Sequence, residues 1–498
     1  MELKRTLIAA CLVALLTPGL SLAAPSAKLG GDGFNIKEGV TDEIIAQIKK
    51  EKGQIKSGHL AFRVDSIKDE DLKKLCEAYP EMTGLIIEKG KGITTLAPIA
   101  GLKALRLLQL EEITATDFAS HIQPSPEMLT LRISVAINSP DMKWMSAMTK
   151  VKTLNITFSS KGEVSSLEGF PSLPGLTSVD LLGGGLKPKD LTPLATALPN
   201  LKKLNLTGAI LPDLTPLGSL SKLEDLNLYG ATLKDFSPLA ACPSLKKIMY
   251  YAVKEADFNT LGALTQVEEL KGGLTQLADI SWVTKLPKLK KFDVFAEHIT
   301  DYSPLTQTNI EEFQIWNMRK PVGDLGFLGE MKSLKKLTLW MVNDVRNFAP
   351  MAALSGLNEL YLKDVNFKSG DLVDLSFLSG MTSLNKLEVS KSRVTNFDAI
   401  ASAKTVASVR LSEIDKFDCA PLGKMLALKT LDFYKVEATN LEGLAASTTL
   451  EGVSIRDLIN LTSLDPFKKI PNLKRLSGVK GKFPEDQLAS FPATIKIN

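Results

Sequence analysis

The sequence predicts an α/β solenoid in which a curved parallel β-sheet lines the concave face, short helices and 3₁₀ turns line the convex face, and a helical cap covers the N-terminal end. Three observations predict it. Apolar residues recur at fixed places within a short period, an Asp-x-Ser/Thr-Pro-Leu segment recurs with them, and the remaining composition is that of a folded protein, 44% apolar and 23% charged over 498 residues. At about 150 residues per domain this length suggests roughly three globular domains. The repeat replaces that expectation with one elongated body and two caps.

Residues 1–23 read as a secretory signal. Lys4 and Arg5 precede an apolar run from Leu7 to Leu16, and small residues lead to a cut after Ala23 or Ala24. The run is too short to span a bilayer. Ile8-Ala9-Ala10-Cys11 resembles a lipoprotein box, but Cys11 follows the start of the apolar run too closely for one. Residues 24–81 read as the N-terminal cap and first strand, with helices over 36–57 and 65–79 and a strand from His59 to Val64 between them.

Residues 82–480 carry the repeats. The stretches from Leu201, Leu223 and Leu289 align with apolar residues at positions 1, 4, 6, 11, 14 and 17, Asp at 13 and Pro at 16. Position 4 can be followed from Leu85 through Leu204, Leu226, Ile248, Leu270, Phe292, Phe313 and Leu337 to Leu476, about 18 repeats in steps of 21 to 27 residues. The largest insertion falls at Lys368 to Val373. Positions 4 and 6 point inward from a short strand, because alternate side chains of a strand face opposite sides. Asp213, Asp235 and Asp301 open the return path, where Thr215, Ser237 and Ser303 are expected to cap a helical turn that starts with proline. One repeat cannot bury its apolar side alone, so stacking must supply the core. Residues 481–498 read as a C-terminal cap, with a short helix in EDQLASF and a closing strand in TIKIN.

This pattern resembles the short leucine-rich repeats, of roughly 22 residues, found in bacterial internalins and in a eukaryotic phosphatase regulator. The resemblance covers about four-fifths of the chain and implies an internalin-like, phosphatase-regulator-like solenoid. The sequence departs from that class at position 9, where Asn usually bridges adjacent turns. Here the position reads Ala209, Ala231, Val253, Thr275, Glu297, Met318, Val342 and Val365. The backbone groups of the turn must find other partners.

Positions 2 and 3 alternate in sign from Lys202-Lys203 and Glu224-Asp225 through Lys246-Lys247, Glu268-Glu269, Lys290-Lys291 and Glu311-Glu312 to Lys335-Lys336. Stacked in register, each basic pair faces an acidic one, which specifies repeat order and solubility rather than a one-signed recognition surface. Net charge is only +4. Neither the net charge nor the ladder points to nucleic acid.

Position 7 faces out of the sheet and reads Tyr229, Tyr251, Gly273, Phe295, Trp316 and Trp340 over six successive repeats, five of them aromatic against 6% in the whole chain. Tyr361, at position 5, adjoins the stripe, with Met249, Lys271, Asp293 and Gln314 beside it. Aligned aromatics on an open face mark partner binding, so Tyr229, Tyr251, Phe295, Trp316, Trp340 and Tyr361 are the candidate partner-binding residues. A protein or peptide is the expected ligand, and a glycan the alternative because sugars also stack on Trp and Tyr. Trp282 and Trp144 read as packing residues.

No metal site, cofactor or catalytic centre is expected. His59, His121 and His298 are scattered, and H-E-x-x-H, C-x-x-C, G-x-S-x-G and Walker-type loops are absent. An enzymatic effector would need a catalytic module outside the repeats, and a purely structural envelope protein would use the stripe for self-association. Cys76, Cys242 and Cys419 lie too many repeats apart for bridges within the chain. Cys419 falls at core position 14. The overall expectation is an exported, periplasmic or secreted binding protein without a membrane-inserted segment.

Overall fold

The computed structural model describes residues 29–30, 33–37, 39–54, 59–115, 117–122, 128–134, 142–146, 148–158, 163–273, 277–318 and 325–498. The signal read over residues 1–23, with Cys11, and Thr275 lie outside them, as does the side chain of Trp144. Two compact units are present, the first within residues 1–136 and 144–151, the second within 137–143 and 152–498. Both carry the leucine-rich-repeat solenoid architecture: one parallel strand per turn, and a short helix or 3₁₀ turn on the way back.

In the first unit, strands Gly33–Ile36, Ala61–Val64, Gly84–Ile87, Leu107–Glu111 and Thr130–Ser134 pair in parallel, and Leu29–Gly30 adds an antiparallel edge. Phe34, Phe62 and Leu85 share one register and are all buried. The repeat period therefore begins two turns before Leu85. The expected helix over 36–57 is shorter, Asp42–Glu51 with a 3₁₀ turn at Lys52–Gln54, and the expected 65–79 helix is Asp69–Ala78. These helices follow strands of the sheet, on return paths of repeat-like units. The second helix buries Leu72, Leu75 and Cys76.

In the second unit, parallel pairing is continuous from Thr153–Thr157 to the closing strand Lys496–Ile497, which follows the helix Glu485–Ala489. Positions 4 and 6 are buried as the alternation requires, for example Leu204 with Leu206, Phe292 with Val294 and Leu337 with Leu339. The insertion after Phe367 is held by a small second sheet that pairs Val373–Asp374 with Val394–Thr395. Strands lengthen to Ser408–Asp418, Thr430–Thr439 and Gly452–Ile459, with irregular register beyond the turn.

The return turns correct one expectation. The 3₁₀ turn Thr215–Ser219 begins with Thr215 itself, has Pro216 second and has Leu214 at its N-cap, and it is the Asp213 side chain, one residue earlier, that holds its first amide. Asp213 Oδ1 accepts from the Thr215 amide at 2.8 Å and from its hydroxyl at 2.7 Å. Asp235 does the same for Ser237, at 2.7 and 2.8 Å, and Asp301 accepts from the Ser303 amide at 2.8 Å. The carboxylate wins because it has only lone pairs to offer, whereas the hydroxyl two residues later can donate to it.

Position 9 has become a core position. Ala209, Ala231, Val253, Met318, Val342 and Val365 are buried. The turn is satisfied by backbone instead: the amide at position 8 donates to the position 7 carbonyl of the next repeat, from Gly208 to Tyr229 and Gly230 to Tyr251 at 2.8 Å, Asn317 to Trp340 at 3.0 Å, and Met341 to Lys363 at 2.8 Å. To aim that amide, position 8 adopts left-handed backbone, at Gly208 and Gly230 but also at Ala252, Asn317, Met341, Asp364, Lys391, Glu413 and Lys435. Side-chain amides still bridge turns next to the insertion, Asn343 and Asn396 among them. Buried Asn366, one place after position 9, accepts from the Val345 amide at 3.0 Å and donates to its carbonyl at 2.7 Å.

The remaining packing expectations agree with the structure. Trp282 is buried in the turn Ser281–Lys285, donating to the Asp279 carbonyl at 3.1 Å and meeting Phe292 edge-on. Cys76, Cys242 and Cys419 are free and buried. Burial pushes their thiols up to about 12, 11 and 12 respectively.

Candidate partner-binding face

Three neighbouring strands of the second unit, Lys291–Phe295, Glu312–Trp316 and Lys336–Trp340, align Phe295, Trp316 and Trp340 at position 7, with Asp293, Gln314 and Thr338 at position 5. The next strand, Glu359–Lys363, brings Lys363 opposite Trp340 and Tyr361 opposite Thr338. Alternation alone sends all these side chains to the face opposite Phe292 and Val294.

The rings pack on one another. Phe295 meets Trp316 edge-on at 4.9 Å between centroids, Trp316 stacks on Trp340 at 5.7 Å, and Tyr251 reaches Trp316 at 5.6 Å. Tyr251 belongs to the strand Lys247–Tyr251, three strands from Trp316, and it crosses a strand that ends in Gly272-Gly273. Both glycines are needed. A Cβ at Gly273 would lie 2.7 Å from the Phe295 backbone, and Gly273 has φ +134; a Cβ at Gly272 would lie 2.4 Å from the buried ring of Tyr250 on the core side. Gly273, the one gap in the aromatic row, is the space through which the row closes up.

Under the rings sits Asp293. Trp316 Nε1 donates to its Oδ1 at 2.9 Å and Gln314 Nε2 to its Oδ2 at 3.0 Å, and the nearby Tyr251 hydroxyl also favours its charged form. Burial pushes this carboxyl up to about 6, against the lowering effect of those donors and of Lys271. Trp340 Nε1 donates to Asp364 at 3.2 Å. Two indoles are thus oriented by carboxylates, which presents a stacked pair of rings rather than two freely rotating ones.

Of the six expected residues, the structure gathers Tyr251, Phe295, Trp316 and Trp340 into this cluster. Tyr361 stands on the neighbouring strand and half-buried Tyr229 occupies the equivalent place one repeat before Tyr251. On this outward face the rings are not fully exposed: Tyr251 is 8% exposed, and Phe295, Trp316, Trp340 and Tyr361 are half-buried. Their mutual packing and the polar anchor beneath account for this. The anchoring role of Asp293 was not legible from sequence, where it read only as polar variety; an acid at position 5 amid aromatics at position 7 is the signal that points to it.

The sign-alternating ladder forms as expected. Lys202 pairs with Glu224 at 3.2 Å, Lys246 with Glu268 at 3.4 Å, Lys247 with Glu269 at 3.2 Å, and Lys290 and Lys291 with Glu311 and Glu312 at 2.7 Å each. Among the described residues there is no group of three or more His, Cys, Asp or Glu able to hold a metal ion, and no helix long and apolar enough to cross a membrane.

No protein-family model and no curated protein matches the sequence. Among solved structures, an internalin from Listeria monocytogenes is 21% identical, with 67% of this chain and 81% of that one covered and a TM-score of 0.37. A leucine-rich-repeat protein of Leptospira interrogans is 15% identical, with 81% and 88% covered and a TM-score of 0.40. The plant peptide hormone receptor RGFR1, in complex with RGF2, is 12% identical, with 95% and 80% covered and a TM-score of 0.34. These are distant superpositions, and it is the repeat in the chain's own residues and strands that makes it a leucine-rich-repeat protein resembling the internalin-like class.

Proposed function

We propose that this is an exported binding protein, without catalytic activity of its own, that recognises a protein or peptide partner on the aromatic face between residues 229 and 340. The observation that carries the reading is the Tyr251–Phe295–Trp316–Trp340 cluster, half-buried on a sheet face and oriented by Asp293 and Asp364. Large rings that remain partly exposed on a sheet face are the residues that dominate binding energy at interfaces. Their indole N–H groups are already satisfied within the protein, so the rings offer apolar area to a ligand rather than hydrogen bonds. That favours a peptide side chain over a sugar, whose hydroxyls need polar partners around a stacking ring. Export follows from the basic start, apolar run and small residues of 1–23.

Affinity capture tests the reading. The W316A/W340A double variant is expected to lose a protein partner that the unchanged chain retains, while its circular dichroism remains that of a folded protein. Unchanged capture, or retention of glycans alone, would overturn it.

A further inference from the structure

Next to the aromatic cluster the charge ladder fails to balance. Tyr361 lies between Thr338 and Glu388 in register, and three ammonium groups converge on its ring. The Nζ atoms of Lys336, Lys363 and Lys386 stand 5.3, 5.3 and 5.1 Å from its centroid. Two carboxylates answer them. Glu359 pairs with Lys336 at 3.8 Å and accepts the Tyr361 hydroxyl at 2.6 Å, while buried Glu388 pairs with Lys363 at 3.1 Å and is shared with Arg410 at 4.0 Å. Among the described residues Lys386 has no ion-pair partner, only the ring. Other lysines of the ladder face an acid, as at Lys290–Glu311 and Lys291–Glu312, and those without an ion pair among the described residues, Lys203 and Lys335, do not converge with two further lysines on one ring. Here one ammonium is left over, and it lies beside the face proposed for binding.

We propose that the Lys336–Lys363–Lys386 cradle around Tyr361 receives a carboxylate of the bound peptide, so that the partner segment carries Asp or Glu beside an apolar or aromatic residue seated against Trp316 and Trp340. This rests on the aromatic face being the peptide-binding face. Lys363 is directly opposite Trp340 across one strand spacing of about 4.8 Å, within reach of neighbouring side chains of one extended segment. The carboxylate sits at the rim of the phenol, among the three Nζ atoms, because the ring face is electron-rich and repels anions. A single negative charge matches the single surplus ammonium; a phosphate, nearly doubly charged, would also meet Glu359 and Glu388.

Random linear peptides displayed against the full-length protein, with the recovered sequences then synthesised, provide the probe. Enrichment of an acidic residue adjacent to an apolar or aromatic one is expected. For such a peptide, K386Q combined with K336Q should weaken binding roughly tenfold, replacing the peptide's own Asp or Glu by the amide should do the same, and the two changes together should cost little more than either alone. W316A/W340A should weaken both forms of the peptide. Peptides lost with the Trp variant but indifferent to the Lys variant would overturn the carboxylate cradle while leaving the aromatic face standing. Binding indifferent to the Trp variant would overturn the face as well. Recovery of no peptide, or tighter binding when the acid is replaced by phosphoserine, would overturn the proposal.

Discussion

Asp293 shows how one side chain can organise a surface. Its carboxyl, ordinarily near 3.8, rises to about 6 chiefly through burial beneath the aromatic rings. The folded protein therefore holds this proton more tightly than the unfolded chain does. Between about pH 4 and pH 6 the native state binds more protons, so the contribution of Asp293 to stability falls as pH rises and levels off above 6. A shift of about two units corresponds to about 3 kcal/mol at neutral pH. D293N removes the titration. Urea unfolding of the two proteins is expected to move in favour of D293N as pH is raised from 4 to 7; a stability difference independent of pH would contradict the burial of this charge. In the sequence Asp293 is marked only as an acid at position 5 amid aromatics at position 7, because its environment comes from Tyr251, Gln314 and Trp316 on other strands. Position 8 is a second residue-scale feature hidden from sequence. Glycine at 208 and 230 hints at left-handed backbone, but Ala252, Met341 and Lys435 adopt it without any such sign.

At the scale of the element, each turn is a strand that alternates inward and outward side chains and a short return path pinned by a carboxylate. The Asp-x-Ser/Thr-Pro-Leu segment was legible as a turn start, but which of its residues caps was not. Both Asp and Ser suit the role, and only the geometry shows Asp235 accepting from the amide and hydroxyl of Ser237. Asp235→Ala is expected to cost about 1 kcal/mol in urea unfolding, whereas Ser237→Ala, which keeps the amide bond to Asp235, should cost clearly less. Equal losses would return the cap to Ser237. The strand Gly33–Ile36 was missed for a related reason. Four residues abutting a strongly helical stretch carry too little alternation to be read, and their strand identity comes from pairing with Ala61–Val64. The lysine and glutamate pairs at positions 2 and 3 were legible in full, since their meaning depends only on repeat spacing.

For the whole molecule, stability in each unit is a sum of turns stacked on their neighbours, with no long-range covalent tie. The cysteines bear this out: Cys242 lies in a turn core and donates to the Leu217 carbonyl, and Cys419 fills an apolar position at another turn. With thiols raised to about 11 or 12, Cys76, Cys242 and Cys419 should be inert to a thiol reagent at pH 8 in the folded protein, and all three should react after denaturation. Fast reaction of any one in the native state would show its turn to be open. The sequence by itself determined the repeat, the inward positions, the charge register and the gathering of aromatics on one face, because each follows from a period read along one chain. Tertiary structure alone decided that Tyr251 folds over Gly273 onto Trp316, that Asp293 anchors the rings, and that Lys386 has no acid partner among the described residues. Those facts arise from side chains meeting across strands 21 or more residues apart, where distance in space is set by stacking and not by order along the chain.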